Sequence, residues 1–145
     1  MSLALRWAVL LLLFPGVCVA QLELAGCRSY EPTIVDLHGT LIRETFAGPP
    51  NFTDIRKGDE AETYWLLKLD SPICVNQDQS NPDLNPGQKN VRRVQLVLDQ
   101  TAYEQYKALL GKKVVATGSL FGASTGHHHT PVLLTVTHID QPRWK

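Results

Sequence analysis

The stretch that decides the fold is "VRRVQLVLDQTAYEQYKALLGKKVVATGSL", residues 91–120. Its first third alternates apolar and polar side chains as far as Leu98, which is the pattern of a strand with one buried face. Over residues 101–110 the apolar positions recur with a period of about 3.6 residues, which is typical of an amphipathic helix. Beyond Gly111 the alternation returns. The stretch therefore predicts a strand, a helix and a second strand.

Both ends of the predicted helix carry a sequence signal. Thr101 and Glu104 have the spacing of a capping box, and Gly111 stands where a glycine commonly closes a helix. The apolar stripe between them consists of Tyr103, Tyr106, Leu109 and Leu110. We expect this stripe to face the core.

Two further strands are predicted before this segment and one after it. Their sequences are "TIVDLHGTLIRETF" (33–46), "TYWLLKLD" (63–70) and "PVLLTVTHID" (131–140). Gly39 inside the first strand predicts a bulge or a sharp bend, as a strand needs where it turns the corner of a barrel.

Three strands, a helix and two more strands are the element order of the OB-fold. We therefore expect a mainly β protein, a small five-stranded OB-like Greek-key barrel with one helix between strands 3 and 4. A single domain over residues 21–145 would form it. Another small α+β sheet protein of similar content is the alternative.

The N-terminal segment has the features of an export signal. Arg6 precedes an apolar run from Trp7 to Phe14, and small residues follow at the end of "CVA" (18–20). Residues 1–20 are therefore predicted to be a cleaved signal peptide. Since the run is too short to span a bilayer comfortably, we expect a periplasmic or secreted protein with no transmembrane anchor in its mature form.

Two cysteines remain after the predicted signal, Cys27 and Cys74. In an oxidising compartment they most simply form one disulfide, and two separate buried thiols are the alternative. A rival reading takes "LAGC" (24–27) as a lipoprotein box with Cys27 acylated, although the charge of Glu23 argues against it. The disulfide and the acylation exclude one another.

Several segments together resemble a family of small exported bacterial proteins known only as a domain of unknown function. They are "GTL" (39–41), "GPPNF" with "KGDEAETYW", "LDSPICV", "VQLVL" and "TGHHHTPVLLTV" (125–136). The resemblance implies a small secreted β-domain and brings no activity, substrate or catalytic residue. The family pattern places Cys and Tyr-x-Pro ahead of the first strand, and Cys27, Tyr30 and Pro32 match it. This favours a structural cysteine over acylation.

The charges are balanced, 14 basic against 14 acidic. Recognition of nucleic acid or of an anionic membrane by bulk charge is therefore disfavoured. A small molecule, a saccharide or a protein is the better expectation for a partner.

Three consecutive histidines lie in the predicted loop 122–130, and a polar loop spans residues 47–62. OB-folds bind ligands between these two loops and on the outer face of strands 2 and 3. Since successive side chains point to opposite sides, His127 and His129 are expected to face one ligand. The main expectation is a ligand site without a cofactor. In the alternative, His127, His129 and Asp59 together bind Zn or Cu. Bracing of a tight loop is the structural alternative.

The outer face of strands 2 and 3 is predicted to carry Tyr64, Lys68, Arg93 and Gln95. An aromatic ring, two cations and an amide can stack a sugar and hold an anionic group. An ordinary solvated sheet face has the same composition.

Catalysis has little support in the sequence. Ser119, Ser124 and Thr125 lie near the histidines without a nucleophile-elbow pattern. A hydrolase, or acid–base chemistry by a histidine, is therefore a lesser alternative. We expect a non-enzymatic, exported OB-like binding module.

Overall fold

The computed structural model describes residues 26–142. Five strands, one α-helix and two short 3₁₀ turns form the fold. The strands are β1 (Ile34–Ala47), β2 (Ala61–Val75), β3 (Gln88–Val97), β4 (Lys113–Gly122) and β5 (Val132–Asp140). Helix α1 (Gln100–Tyr106) continues into a 3₁₀ turn (Lys107–Leu109), and the other turn is Ile55–Lys57. A mainly β fold with one helix between the third and fourth strands is confirmed.

The strands close on themselves in the order β1-β2-β3-β5-β4, forming a closed barrel. All neighbouring strands are antiparallel except β3 and β5, which run parallel over three residue pairs. Strand β1 is long enough to pair with β4 through its first half and with β2 through its second half. This change of partner lets a five-stranded sheet close.

Gly39 lies at the point where β1 changes partner. It is opposite Leu69 in β2 and opposite Val114 in β4. A Cβ at this position would overlap the main-chain carbonyl of Lys68. The predicted bend therefore coincides with a close backbone approach that only glycine permits.

Alternate residues of all five strands fill the barrel interior. Completely or almost completely buried are Leu37, Leu41, Leu67, Val94, Leu96, Val114, Leu120, Val132 and Leu134. Helix α1 packs against this core through Tyr106 and through Tyr103, whose ring meets Trp65 edge-on at 5.1 Å between centroids.

Two local predictions are wrong. Strand β2 continues to Val75, past the predicted end at Asp70, and Pro72 lies in the register gap between Lys68 and Ile73. Because no pairing falls on Pro72, its missing N–H costs no ladder hydrogen bond. The helix is capped by Asp99 rather than Thr101, since Asp99 Oδ1 accepts the N–H of Ala102 at 2.7 Å.

Cys27 and Cys74 are joined in a disulfide, as predicted. Because its sulfur is in this bond, Cys27 is not free for acylation, which argues against the lipoprotein alternative. Tyr30 is buried beside the bridge and donates a hydrogen bond to the carbonyl of Pro86 at 2.8 Å. The segment before β1 is thereby held to the hairpin of β2 and β3.

The predicted signal peptide, residues 1–20, lies outside the described residues. In the range 26–142, none of the helices has the length and apolar character needed to cross a membrane.

Candidate functional site

Two loops meet at one place on the barrel surface. The 48–60 loop joins β1 to β2, and the histidine loop, residues 123–131, joins β4 to β5. Phe52 of the first loop lies edge-on to His127 of the second, with ring centroids 5.3 Å apart. Gly126 leaves room for the Phe52 ring, which a Cβ there would approach to 3.0 Å.

Asp59 holds the 48–60 loop in shape from inside. Its buried carboxylate accepts backbone N–H bonds from Asn51, Thr53 and Asp54 at 2.7 to 2.9 Å. The backbone N–H groups of Thr53 and Asp54 above all hold the pKa of Asp59 well below its usual range. The carboxylate is therefore committed to its own loop, and the predicted metal-ligand role of Asp59 is not supported.

Asp59→Asn is expected to lower the melting temperature by several degrees at pH 7, because an amide cannot accept all of these bonds. Since folding lowers the pKa of Asp59, its stabilisation is complete above the unfolded-state pKa, near pH 4, and is lost as the pH falls further. The variant should therefore lose less stability than the wild type as the pH falls from about 4 to about 2. Thermal melts across this range measure both effects; parallel curves for the two proteins would contradict the assignment.

Gln95 anchors the histidine loop. Its side-chain Nε2 donates to the carbonyl of His127 at 2.9 Å, and its Oε1 accepts the N–H of His129 at 2.8 Å. The backbone N–H of Gln95 donates to Thr130 Oγ1 at 2.9 Å. Gln95 lies on the outer sheet face as predicted, but it is only 3% exposed because the histidine loop covers it, so its side chain is not open to a ligand there.

The histidine loop therefore covers part of the outer sheet face. Leu66, Gln95 and Leu133 are direct neighbours across β2, β3 and β5 and are all buried. They project opposite to the core residues Leu67 and Leu134, because neighbouring side chains along a strand alternate. The centre of the binding face expected on strands 2 and 3 is therefore covered, and only residues at its edge, such as Lys68 and Arg93, stay exposed.

A polar cluster forms where the histidine loop meets the first residues of β2. We call Glu62, Tyr64, His127 and His129 the histidine cluster. The Glu62 carboxylate lies 3.0 Å from His127 Nδ1 and accepts the hydroxyl of Tyr64 at 3.1 Å. Since a carboxylate only accepts, the Nδ1 of His127 donates the proton of this hydrogen bond. The His127 side chain is 51% exposed, so its ring can be reached from solvent.

His129 forms the inner wall of the cluster. Its ring is stacked on Phe46 with centroids 4.2 Å apart and planes 2° from parallel. Its Nε2 lies 3.7 Å from the Glu62 carboxylate, beyond hydrogen-bond distance. Within residues 26–142, it is the one buried side-chain nitrogen or oxygen that lacks a hydrogen-bond partner. The cluster therefore has unused hydrogen-bonding capacity at a fixed position.

The cluster favours a negative charge on Glu62. The hydrogen bond from His127 and, to a lesser degree, that from Tyr64 lower the pKa of Glu62, against the opposing effect of burial. Burial and then the hydrogen bond to Glu62 raise the pKa of Tyr64, which stays a neutral donor. The site therefore presents one carboxylate and one neutral phenol beside the rings of two histidines.

His128 belongs to a different environment from its neighbours. Its Nδ1 accepts the backbone N–H of Ser124 at 2.9 Å, and its ring meets Phe121 edge-on. Burial, and then the neighbouring His127 and His129, lower the pKa of His128. One histidine of the triplet thus braces its own loop while the other two face the cluster.

The remaining predicted residues lie at the edge of this cluster. Tyr64 is a member, whereas Lys68 and Arg93 are opposite each other across β2 and β3. Both are exposed, and Arg93 forms an ion pair with Glu44 at 2.7 Å. Glu62 is a site residue that the sequence does not single out, because it is one of several acids in a charged stretch. Only the fold shows that it meets the histidines.

Neither a metal centre nor a nucleophile is assembled in the described range. No group of three His, Cys, Asp or Glu side chains between residues 26 and 142 is arranged to hold a metal ion. Over the same residues, the histidine hydrogen bonds involve no hydroxyl of Ser119, Ser124 or Thr125.

Part of the chain is similar to a known family. Residues 93–140 match a domain of unknown function, DUF4431. The matched stretch, 93 through 140, is 48 of the 145 residues. It includes Gln95 and all three histidines of the loop, and it leaves out Glu62. The predicted resemblance to a domain of unknown function is confirmed for the DUF4431 stretch. No curated protein sequence and no solved structure matches the chain significantly.

Proposed function

We propose that this protein is an exported, non-enzymatic binding module whose ligand site is the histidine cluster. The observation that carries the proposal is the buried Nε2 of His129, which has no hydrogen-bond partner among residues 26–142. A buried polar atom left unpaired costs free energy. A ligand that supplies the missing partner recovers that cost.

The architecture of the proposal is an OB-like Greek-key barrel. Three features support it: the helix between β3 and β4, the closed order β1-β2-β3-β5-β4, and the parallel pairing of β3 with β5. In such a barrel the loops after β1 and β4 flank the binding face. The histidine cluster lies where those two loops meet.

Export is supported by the signal-like N-terminal sequence and by the disulfide between Cys27 and Cys74. Disulfides persist in oxidising compartments and are rare in the cytosol. We place the mature protein in the periplasm or outside the cell.

The ligand is a small polar molecule that carries hydroxyl groups, with a saccharide as the best match. In this proposal the Glu62 carboxylate accepts one ligand hydroxyl hydrogen, and His127 Nε2 accepts a second. A further ligand hydroxyl supplies the missing partner of His129 Nε2, which lies 3.7 Å from that carboxylate. The rings of Phe52 and Tyr64 border these polar atoms and offer apolar surface. These hydrogen bonds and apolar contacts can bind a ligand that carries no charge.

The test is a titration of the ¹⁵N-labelled mature protein with a panel of neutral disaccharides, followed through the amide signals of His127, His129 and Glu62. Glu62→Gln and Tyr64→Phe should each weaken binding about tenfold or more while the melting temperature changes little, because both side chains are partly exposed. The matched control is Tyr103→Phe, which removes a tyrosine hydroxyl on α1 outside the site. Loss of stability in the two cluster variants, without any ligand response, would assign the cluster to loop bracing.

A cell-envelope protein that handles Zn or Cu is the second candidate. It is favoured by one observation, that His127 and His129 both approach the same carboxylate of Glu62. In such a metal site Glu62 would replace the predicted ligand Asp59. The rings must move on binding, because no three-ligand set among residues 26–142 is spaced around an ion. Calorimetric titration with Zn²⁺ and Cu²⁺ separates the candidates, since tight binding that weakens as the imidazoles protonate requires a metal site.

A further inference from the structure

Strand β3 has a second strand neighbour over only part of its length. It pairs with β2 from Gln88 to Gln95, but with β5 only at residues 95–97. Within the described range 26–142, no strand pairs with the β5-facing edge of residues 91–93, and the extended backbone is interrupted just before it at Asn90, whose φ is 55°. An unpaired strand edge is a template for the addition of another strand.

The backbone of Arg93 offers hydrogen-bonding groups along this edge. The N–H of Gln95 points toward the histidine loop, because it donates to Thr130 Oγ1. Backbone groups two residues apart in a strand point to the same edge, so the N–H and C=O of Arg93 face the same way. Arg93 thus presents one donor and one acceptor to an incoming strand.

A groove of about 280 Å³ runs between this edge and the histidine loop. It is lined by Lys89, Asn90, Val91, Arg92, Arg93, His129, Thr130 and Pro131. Proline has no backbone N–H, so Pro131 cannot supply the donor needed to pair with the edge. The groove is open to a chain from outside.

The groove is positively charged although the whole protein is neutral. Its lining contains the cations Lys89, Arg92 and Arg93 and no acidic residue. Glu44 offsets the charge of Arg93, whereas Lys89 and Arg92 form no ion pair with any residue in the range 26–142. Lys68 lies opposite Arg93 on β2 and adds to the positive potential.

We infer that the free edge of β3 binds an extended acidic peptide segment of a partner protein by strand addition. Main-chain hydrogen bonds at Arg93 set the register, and Lys89 and Arg92 pair with carboxylates of the peptide. A second copy of this chain is a poor occupant, since pairing two β3 edges would bring Lys89 and Arg92 against the same cations. This surface shares only His129 with the histidine cluster, so the inference stands apart from the proposed function.

The test uses a terminally blocked hexapeptide of alternating glutamate and threonine, titrated into the ¹⁵N-labelled protein at neutral pH. We expect one peptide to bind per chain, with the largest amide shift at Arg93. N-methylation of alternate peptide bonds keeps the charges and removes the donors, so it should weaken binding about tenfold or more. Equal binding of both peptides would reduce the site to a plain anion contact and overturn strand addition.

Charge is tested separately with Lys89→Glu/Arg92→Glu. We expect this double variant to lose about tenfold or more in affinity, whereas Lys107→Glu/Lys112→Glu, with the same change in net charge outside the groove, stays within about twofold. No peptide binding, equal binding of a lysine–threonine peptide, or preferential binding of an oligothymidylate would each overturn the inference. So would self-association of the free protein through β3, seen as a concentration-dependent mass.

Discussion

Removing the disulfide with Cys27→Ser/Cys74→Ser is expected to destabilise the protein by about 4 kcal/mol. The bridge spans 47 positions of sequence and closes a loop that contains β1 and nearly all of β2. Opening it gives the unfolded chain back the entropy of that loop, while neither cysteine is fully buried, so no large cavity is created. The melting temperature should fall by roughly 15 °C.

The matched control for the disulfide is the wild-type protein melted under reducing conditions. It should approach the stability of the double variant, and the double variant itself should not respond to the reductant. A wild-type protein whose stability is the same with and without reductant would contradict the proposed contribution of the bridge.

Gly39→Ala is expected to destabilise the fold by about 2 to 3 kcal/mol, although alanine in an open strand position normally stabilises slightly through the unfolded state. The new methyl group would overlap the carbonyl of Lys68, a main-chain atom that cannot rotate away. To make room, β1 must separate from β2 at the position where it also pairs with β4. Chemical denaturation measures the loss.

Gly26→Ala is the control for Gly39, because a Cβ at Gly26 meets nothing within 4 Å. It should change the stability by less than about 0.5 kcal/mol. Similar effects of the two substitutions would show that the close approach at Gly39 does not limit the packing of the barrel.

Much of the fold was predictable because it is encoded by local periodicity. Alternation identified all five strands, and the change of period after Leu98 identified α1. The N-cap of α1 was harder to predict, since Asp99 and Thr101 are both good capping residues. Which of them caps the helix depends on where β3 ends. The length of β2 was also missed, because proline is tolerated in the register gap that only the paired strand creates.

The candidate site was predictable only in part. Its two loops and its outward-facing histidines follow from the position of the loops and from the alternation of side chains. The identity of the carboxylate that meets the histidines does not follow from the sequence, because Asp59 and Glu62 are three residues apart and look equivalent there. Asp59 turns inward because the loop backbone offers it several N–H donors, whereas Glu62 lies at the start of β2 beside His127.

The sequence by itself determined the strand and helix content, the pairing of Cys27 with Cys74 and the location of the two loops. These depend on short-range patterns and on the small number of possible pairings. The folded barrel is needed to see that Gln95 bonds the histidine loop, that Glu62 meets His127, and that β3 keeps an unpaired edge before Gln95. Each of these contacts joins residues more than 30 positions apart or depends on the register of two strands, and no local pattern carries that information.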